Sequence, residues 1–225
     1  MTLRRIAILL LALCALSGCG EEASGDGTAY LWITRDRGSQ LILNTSVPAG
    51  ISALEALRRK ADVETRYGGR FVQSIGGVEG DIAGNRDWFY YVNGYWADLS
   101  AADYTLRDGD VLWWDHRSWE QQERQPVVVG AFPEPFLHGF GGERRPAVVR
   151  GPDDATSRKI AELVGGTLNR DQHGANRIDI VDGTGFRARL SGAPGDPVVF
   201  ELGRDDAKRL AADPALARYR YEGLP

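Results

Sequence analysis

Long apolar runs are scarce in this 225-residue chain. The longest near the start, Ile6 to Leu16 (IAILLLALCAL), is too short for a spanning helix. Crossing a hydrocarbon core of about 30 Å takes ~20 apolar residues, so a transmembrane anchor is not expected there. Cysteine is nearly absent, and both copies, Cys14 and Cys19, lie close to the N-terminus. No excess of positive charge exists either: 27 basic residues stand against 31 acidic ones, a net charge of −4. Phosphate binding needs a basic surface, so nucleic acid is not an expected partner. Lysine is confined to Lys60, Lys159 and Lys208, which reads as the codon bias of a GC-rich genome and carries no mechanism. The only histidines, His116, His138 and His173, are far apart and lack helical ligand spacing. The Glu79 to Asp87 loop (EGDIAGNRD) is acidic and glycine-bearing but lacks the alternating D-x-D-x-D-G order, so no metal is expected. No serine sits in a G-x-S-x-G elbow, and the His138 to Gly142 stretch has neither the P-loop lysine nor a dinucleotide fingerprint. Asp179 and Asp182 could pair as acids, but Asp182-Gly183 is more simply a turn. No enzyme and no cofactor are expected.

What is present begins with an export signal. Arg4 and Arg5 precede the apolar run, and Leu16-Ser17-Gly18-Cys19 resembles the bacterial lipobox, with small residues before a cysteine that accepts lipid. An ordinary secretory signal with Cys19 incidental is the alternative. The resemblance implies a signal peptide over 1–18, lipidation with palmitate-type chains at Cys19, and a partner that is the membrane itself. More than one acyl chain suffices for stable anchoring. The expected location is the extracytoplasmic face of the cell membrane. Removing Arg4 and Arg5 from the 27 basic residues leaves 25 against 31, a mature net charge of −6. Neither cysteine then remains for a disulfide, so packed cores must hold the fold.

Tryptophan divides the mature chain. All six (Trp32, Trp88, Trp96, Trp113, Trp114, Trp119) precede residue 120, and the later part is rich in Gly, Pro, Asp and Arg. The expected organisation is a tether over 19–28, a first domain over 29–120, a polar divide from Glu120 to Pro126, and a second domain over 126–225. No internal repeat is visible.

In the first domain, Tyr30 to Thr34 and Gln40 to Ser46 read as strands around the turn Asp36-Arg37-Gly38. Ser52-Ala53-Leu54-Glu55 fits a capping box and opens a short helix ending about Lys60, with Ile51, Leu54, Leu57 and Ala61 as its apolar stripe. Phe71 to Ile75 is a further strand. Trp88 to Val92 is an aromatic strand leading into Asn93-Gly94, the pair best suited to a tight hairpin turn, and Tyr95-Trp96 begins the return. Val111 to Asp115 closes the set. Strands, one helix, then strands in a mixed sheet is the order of a β-grasp fold, making the chain an α+β protein.

Residues Tyr30 to Trp119 resemble the DUF4430 family, also described as transcobalamin C-terminal-like. The pattern runs through Val47-Pro48, the helix from Ser52, Phe71 to Gly77, the aromatic strand into Val92-Asn93-Gly94, and Tyr104 to Trp113 (YTLRDGDVLW). The resemblance implies a β-grasp, soluble-ligand-binding domain, and a corrinoid or other vitamin-like molecule as ligand. The large helical barrel that accompanies this domain in the vitamin carriers has no counterpart here.

Trp88, Tyr90 and Val92 alternate with Phe89 and Tyr91, and Val111 and Trp113 with Leu112 and Trp114, so both sheet faces carry aromatics. Either a helix covers one face and the second domain the other, or one face is an open stacking platform. The candidate binding residues are Trp88, Tyr90, Asn93, Tyr95, Trp96 and Trp113. The hairpin tip, Asn93 to Trp96, is favoured because turn tips are exposed, the alternative being that its two rings fold back on the sheet.

The second domain reads as a small α/β unit of no recognised family. Val127 to Phe132, Ala147 to Arg150, Ile178 to Val181, Phe186 to Leu190 and Val198 to Leu202 are its strands. One helix follows Pro152-Asp153-Asp154, and another covers Asp205 to Ala211. The expected function is small-ligand binding, with a transporter component as possible partner; the alternative is an envelope module docking a protein or glycan.

Overall fold

The computed structural model describes residues 27–120 and 124–225. The signal segment, Cys19 and the tether as far as Asp26 lie outside the described residues. The elements are β1 (Thr28–Arg35), β2 (Gln40–Pro48), α1 (Ala53–Arg58), β3 (Val63–Arg66), β4 (Phe71–Ile75), β5 (Val78–Glu79), β6 (Arg86–Val92), β7 (Tyr95–Trp96) and β8 (Val111–Ser118). There follow β9 (Ala147–Arg150), α2 (Ala155–Leu163), β10 (Thr167–Leu168), β11 (Asn176–Val181), β12 (Phe186–Leu190), β13 (Val198–Gly203) and α3 (Arg204–Ala212). The fold is α+β and mostly β-sheet.

The first sheet has the order β2-β1-β8-β6-β7. β1 runs parallel to β8, while the β1–β2, β8–β6 and β6–β7 pairs are antiparallel. The turn between β1 and β2 carries Asp36 and Arg37 at positive φ before Gly38. Gly38 is required there, since a Cβ would collide with the Tyr219 carbonyl. Ser52 caps α1, its hydroxyl accepting from the Glu55 N–H at 3.1 Å. The reciprocal half of the capping box is not made, because the Glu55 carboxylate pairs with Arg59 at 2.7 Å. Short β3, β4 and β5 form a three-stranded sheet beside this unit. β3 and β5 escape sequence patterning because four and two residues are too few to show alternation. The Glu79 to Asp87 segment is not one loop. β5 ends at Glu79, Asp81 exchanges backbone hydrogen bonds with Arg86, and β6 has begun by Arg86.

The second sheet, β10-β9-β11-β13-β12, is parallel except for the β12–β13 pair. Ile160 of α2 and Leu210 of α3 enter its core with Phe186 and Phe200. Asp154 caps α2, accepting from the Ser157 N–H at 2.8 Å.

Alternation along β6 and β8 sorts the aromatics as their spacing predicts. Trp88, Tyr90, Val92, Leu112 and Trp114 share a core with α1, while Tyr91, Val111 and Trp113 occupy a separate cluster on the opposite face. Around Tyr91 and Trp113 that second face is covered by Val128, Ala131 and Tyr221, and its margin at Phe89 and Trp96 stays partly exposed. Residues Val127 to Phe132 do this covering as a series of turns and not as the expected strand; Val127 makes a single bridge to Tyr95. The apolar run reflects burial and not strand pairing: Gly130 lies so close to Trp113 and the Arg220 backbone that no side chain fits. Full burial of an aromatic such as Trp113 stabilises by roughly 1.5–3 kcal/mol.

Several polar groups inside the cover gather on Asp115. Its carboxylate accepts from the Thr34 hydroxyl at 2.6 Å, the Gly38 N–H at 3.2 Å and the Tyr221 hydroxyl at 2.8 Å. Thr34 in turn accepts from the Trp113 indole at 2.7 Å. The chain end is thereby tied to the first sheet.

Candidate functional site

β7 is only two residues long, so the chain leaves the edge of β6 at Ala97. A cleft of about 910 Å³ opens where it departs. Trp88, Phe89, Tyr90 and Trp96 line one side, with Trp114 behind them. Arg70 and Phe71, where β4 begins, and the stretch from Ala97 to Ala101 line another. Leu190 to Pro194, the connection from β12 to β13, supply the third, so both sheets contribute. The volume is within the ordinary range for small-molecule sites, roughly 300–1,000 Å³.

The aromatic wall is held by its own polar atoms. The Trp88 indole donates to the Val78 carbonyl at 2.8 Å, and the Tyr90 hydroxyl donates to the Leu99 carbonyl at 2.5 Å. Tyr90 stacks on Trp114 with centroids 4.9 Å apart and planes at 22°. Burial pushes the Tyr90 phenol far above the usual range, and the neighbouring Tyr104 adds to the rise, so it stays a donor at neutral pH. The Trp114 indole N–H is buried without an acceptor among the described residues. On the other face of β6, Phe89 meets Trp96 at 6.1 Å and lies under the Arg117 guanidinium at 3.8 Å.

Charge enters at the rim. Asp87 is half-buried, and desolvation raises its carboxyl above the usual value against the opposing hydrogen bond from the Trp88 N–H. Arg70, largely exposed, pairs with Asp103. Next to Trp88, burial and then Arg86 lower the His116 imidazole, which lies 3.2 Å from the Glu79 carbonyl. His116 packs against Trp88 with ring centroids 5.1 Å apart and stands behind the cleft wall, not in its lining.

Of the six sequence candidates, Trp88, Tyr90 and Trp96 line the cleft and Asn93, Tyr95 and Trp113 do not. Asn93, Gly94 and Tyr95 of the hairpin tip are buried, not exposed as the favoured reading had it, because Val128 donates to the Gly94 carbonyl and Pro126 accepts from Trp96, while Trp96 stays partly exposed. Asn93 serves the fold instead: it accepts from the Val111 N–H at 2.8 Å and donates to Asp110 at 2.7 Å and to the Gly139 carbonyl at 2.9 Å. Tyr95 donates to the Asp196 carbonyl at 3.0 Å, and Trp113 is engaged with Thr34. Phe71, Ser100 and the Leu190 to Pro194 connection escape sequence reasoning, since nothing local marks a residue brought to the cleft from elsewhere in the chain.

A second hollow of about 530 Å³ lies among Arg144, Arg145, His173 and Asp196. Both arginines spend their N–H groups on backbone carbonyls, Arg144 on Phe136 and Gly165, Arg145 on Gly174 and Gly195. Among the described residues no group of three or more His, Cys, Asp or Glu is placed to hold a metal ion.

Residues 50–118 match the family described as Domain of unknown function (DUF4430). No curated protein matches the sequence. Among solved structures, a candidate metal-binding protein from Ruminococcus gnavus is 16% identical with a TM-score of 0.35, the match covering 41% of this chain and 98% of that one. Haptocorrin in complex with Cbi is 17% identical with a TM-score of 0.34, the match covering 40% of this chain and 24% of that one.

Proposed function

We propose that this chain is a non-catalytic, extracytoplasmic lipoprotein that holds a small ligand in the cleft between its two sheets. The cleft itself carries the reading: about 910 Å³ lined by Trp88, Tyr90 and Trp96, with fixed polar atoms at its wall. The parallel β1–β8 pair, with α1 packed on one face of the sheet, supports a β-grasp arrangement for the first unit. The lipobox-like Leu16 to Cys19 supports attachment through Cys19 to the outer face of a membrane, where the protein would hand its ligand to an uptake component. The motif resemblance over Tyr30 to Trp119 makes a corrinoid the first ligand to test.

The test is titration of the purified protein with cobalamin and with cobinamide, followed by tryptophan fluorescence. Saturable quenching that weakens at least tenfold in Trp96→Ala supports the cleft and the ligand class together. No saturable change removes the corrinoid. Binding that persists unchanged in Trp96→Ala moves the ligand out of the cleft.

A further inference from the structure

The backbone of β6 contains a gap. Strand geometry turns the odd residues of β6 toward β8, as the Asn93 N–H to Val111 carbonyl bond (2.9 Å) and the Trp119 N–H to Asn85 carbonyl bond (2.9 Å) fix at its two ends. The even residues therefore point their N–H and C=O groups away from β8. At Arg86 both groups are taken by Asp81. At Val92 they face the β7 residue Tyr95 in the hairpin. The Trp88 N–H is taken by the Asp87 carboxylate at 2.8 Å, and the Tyr90 carbonyl accepts from Ala97 at 3.2 Å. Only the Trp88 carbonyl and the Tyr90 N–H have no partner among the described residues. Both belong to residues that are less than a tenth exposed and that line the cleft. Buried backbone donors and acceptors are almost always paired, so this couple calls for an outside partner.

One acceptor and one donor flanking a single residue, Phe89, is the pattern that receives one residue of an extended chain. A parallel segment would give the N–H of the residue opposite Phe89 to Trp88 and take the Tyr90 N–H on the same residue's carbonyl. An antiparallel segment would make the same two bonds through the residues on either side. Longer pairing is blocked at both ends, by Asp87 on one side and Ala97 on the other. The walls suit side chains that alternate across such a segment: Tyr90 and Trp114 on one face, Phe89 and Trp96 on the other.

We propose that the cleft takes a short peptide, about three residues in extended form, by adding it to the edge of β6 opposite Phe89. The inference rests on the ligand-binding reading of the same cleft and narrows its chemistry to an amide-bearing chain.

The experiment uses the purified protein and a panel of N-acetylated, C-amidated tripeptides Ala-X-Ala, with X as Phe, Leu, Lys or Glu. Binding is read by tryptophan fluorescence and by residue-resolved amide hydrogen exchange. At least one peptide should saturate and slow exchange of the Tyr90 amide tenfold or more. Methylating the single peptide nitrogen that donates to Trp88 should weaken binding roughly tenfold, the effect of one lost hydrogen bond, while methylation elsewhere changes it little. Saturation without protection of Tyr90 overturns the edge pairing, as does tolerance of methylation at every position. If corrinoid quenches and no peptide binds at millimolar concentration, the peptide is wrong and the cleft stands. If neither binds, both fall.

Discussion

Replacing Tyr221 by Phe tests whether the chain end fastens the cover over the first sheet. The substitution removes one oxygen and leaves the ring, which packs edge-on against Tyr91 at 5.6 Å and Trp113 at 5.4 Å. What is lost is the hydroxyl donating to Asp115 at 2.8 Å. Asp115 is fully buried, so the freed carboxylate oxygen has no ready access to water. A hydrogen bond to a charged group contributes about 1.5–3 kcal/mol net, and leaving a buried acceptor unmade falls at the upper end. The Thr34 and Gly38 donors remain on the other carboxylate oxygen, which argues for about 2 kcal/mol. In a chain of this size that corresponds to a fall in Tm of roughly 4–8 °C. Equilibrium urea unfolding, with thermal melting alongside, measures it. Tyr219→Phe is the control: it loses only an exposed bond from Asn44 at 2.8 Å and should stay within about 1 kcal/mol of the parent. If Tyr221→Phe is no less stable than Tyr219→Phe, the Asp115 network does not hold the cover and the reasoning fails.

Four further outcomes rest on the same physics. Cys19→Ala should move the protein from the membrane fraction to the soluble one and abolish incorporation of labelled palmitate; unchanged membrane retention would refute the lipid anchor. Ser52→Ala removes the α1 cap and should cost about 1 kcal/mol in urea unfolding. The Glu134 carboxylate accepts from His138 and holds its imidazolium above the usual histidine range, so this pair adds stability that is complete below about pH 6.5 and is lost as pH rises through the folded pKa. His138→Gln should flatten the urea midpoint across that rise, and an unchanged profile would remove His138 as its source. Asn93→Asp replaces two donated hydrogen bonds with a carboxylate facing Asp110 and should cost at least about 3 kcal/mol, whereas a surface tip would tolerate it.

The elements with long patterns or their own chemistry were legible from the residues. β6 and β8 announce themselves by length and aromatic content, the Asn93-Gly94 turn by its residue pair, and α1 and α2 by Ser52 and Asp154 at their caps. Tip exposure was not legible. Turns are exposed on average, but Asn93 to Tyr95 is covered by residues 126–128, more than thirty positions later in the chain. The same distance effect misled at Val127 to Phe132, where an apolar run is consistent with a buried strand or with a buried cover, and only the neighbour decides. Trp88 and Tyr90 reached the cleft because β6 itself forms its wall, and Trp96 because β7 pairs along the edge of β6. The opposite walls come from β4 and from Leu190 to Pro194, which carry no local mark of it.

The division of the cleft between two sheets governs how binding would be felt. Leu190 to Pro194 leads from one strand of the second sheet toward the next, while Trp88 to Tyr90 belongs to the first sheet, so a ligand between them touches parts of both. The sheets are already joined on the far face by Tyr221 on Asp115 and on the near side by Tyr95 on the Asp196 carbonyl. Asp196 lies in the same connection as Pro194, two residues on. Tyr95 thus positions one cleft wall against another while standing outside the cleft. Tyr95→Phe should keep the ring against Phe140 and so most of the stability, yet release the connection and weaken any ligand that spans the walls. A ligand held only by β6 would be indifferent to the change. Measuring affinity and urea stability on the same variant separates the cases: an unaltered affinity in a folded Tyr95→Phe protein would show that the Leu190 to Pro194 wall takes no part in binding.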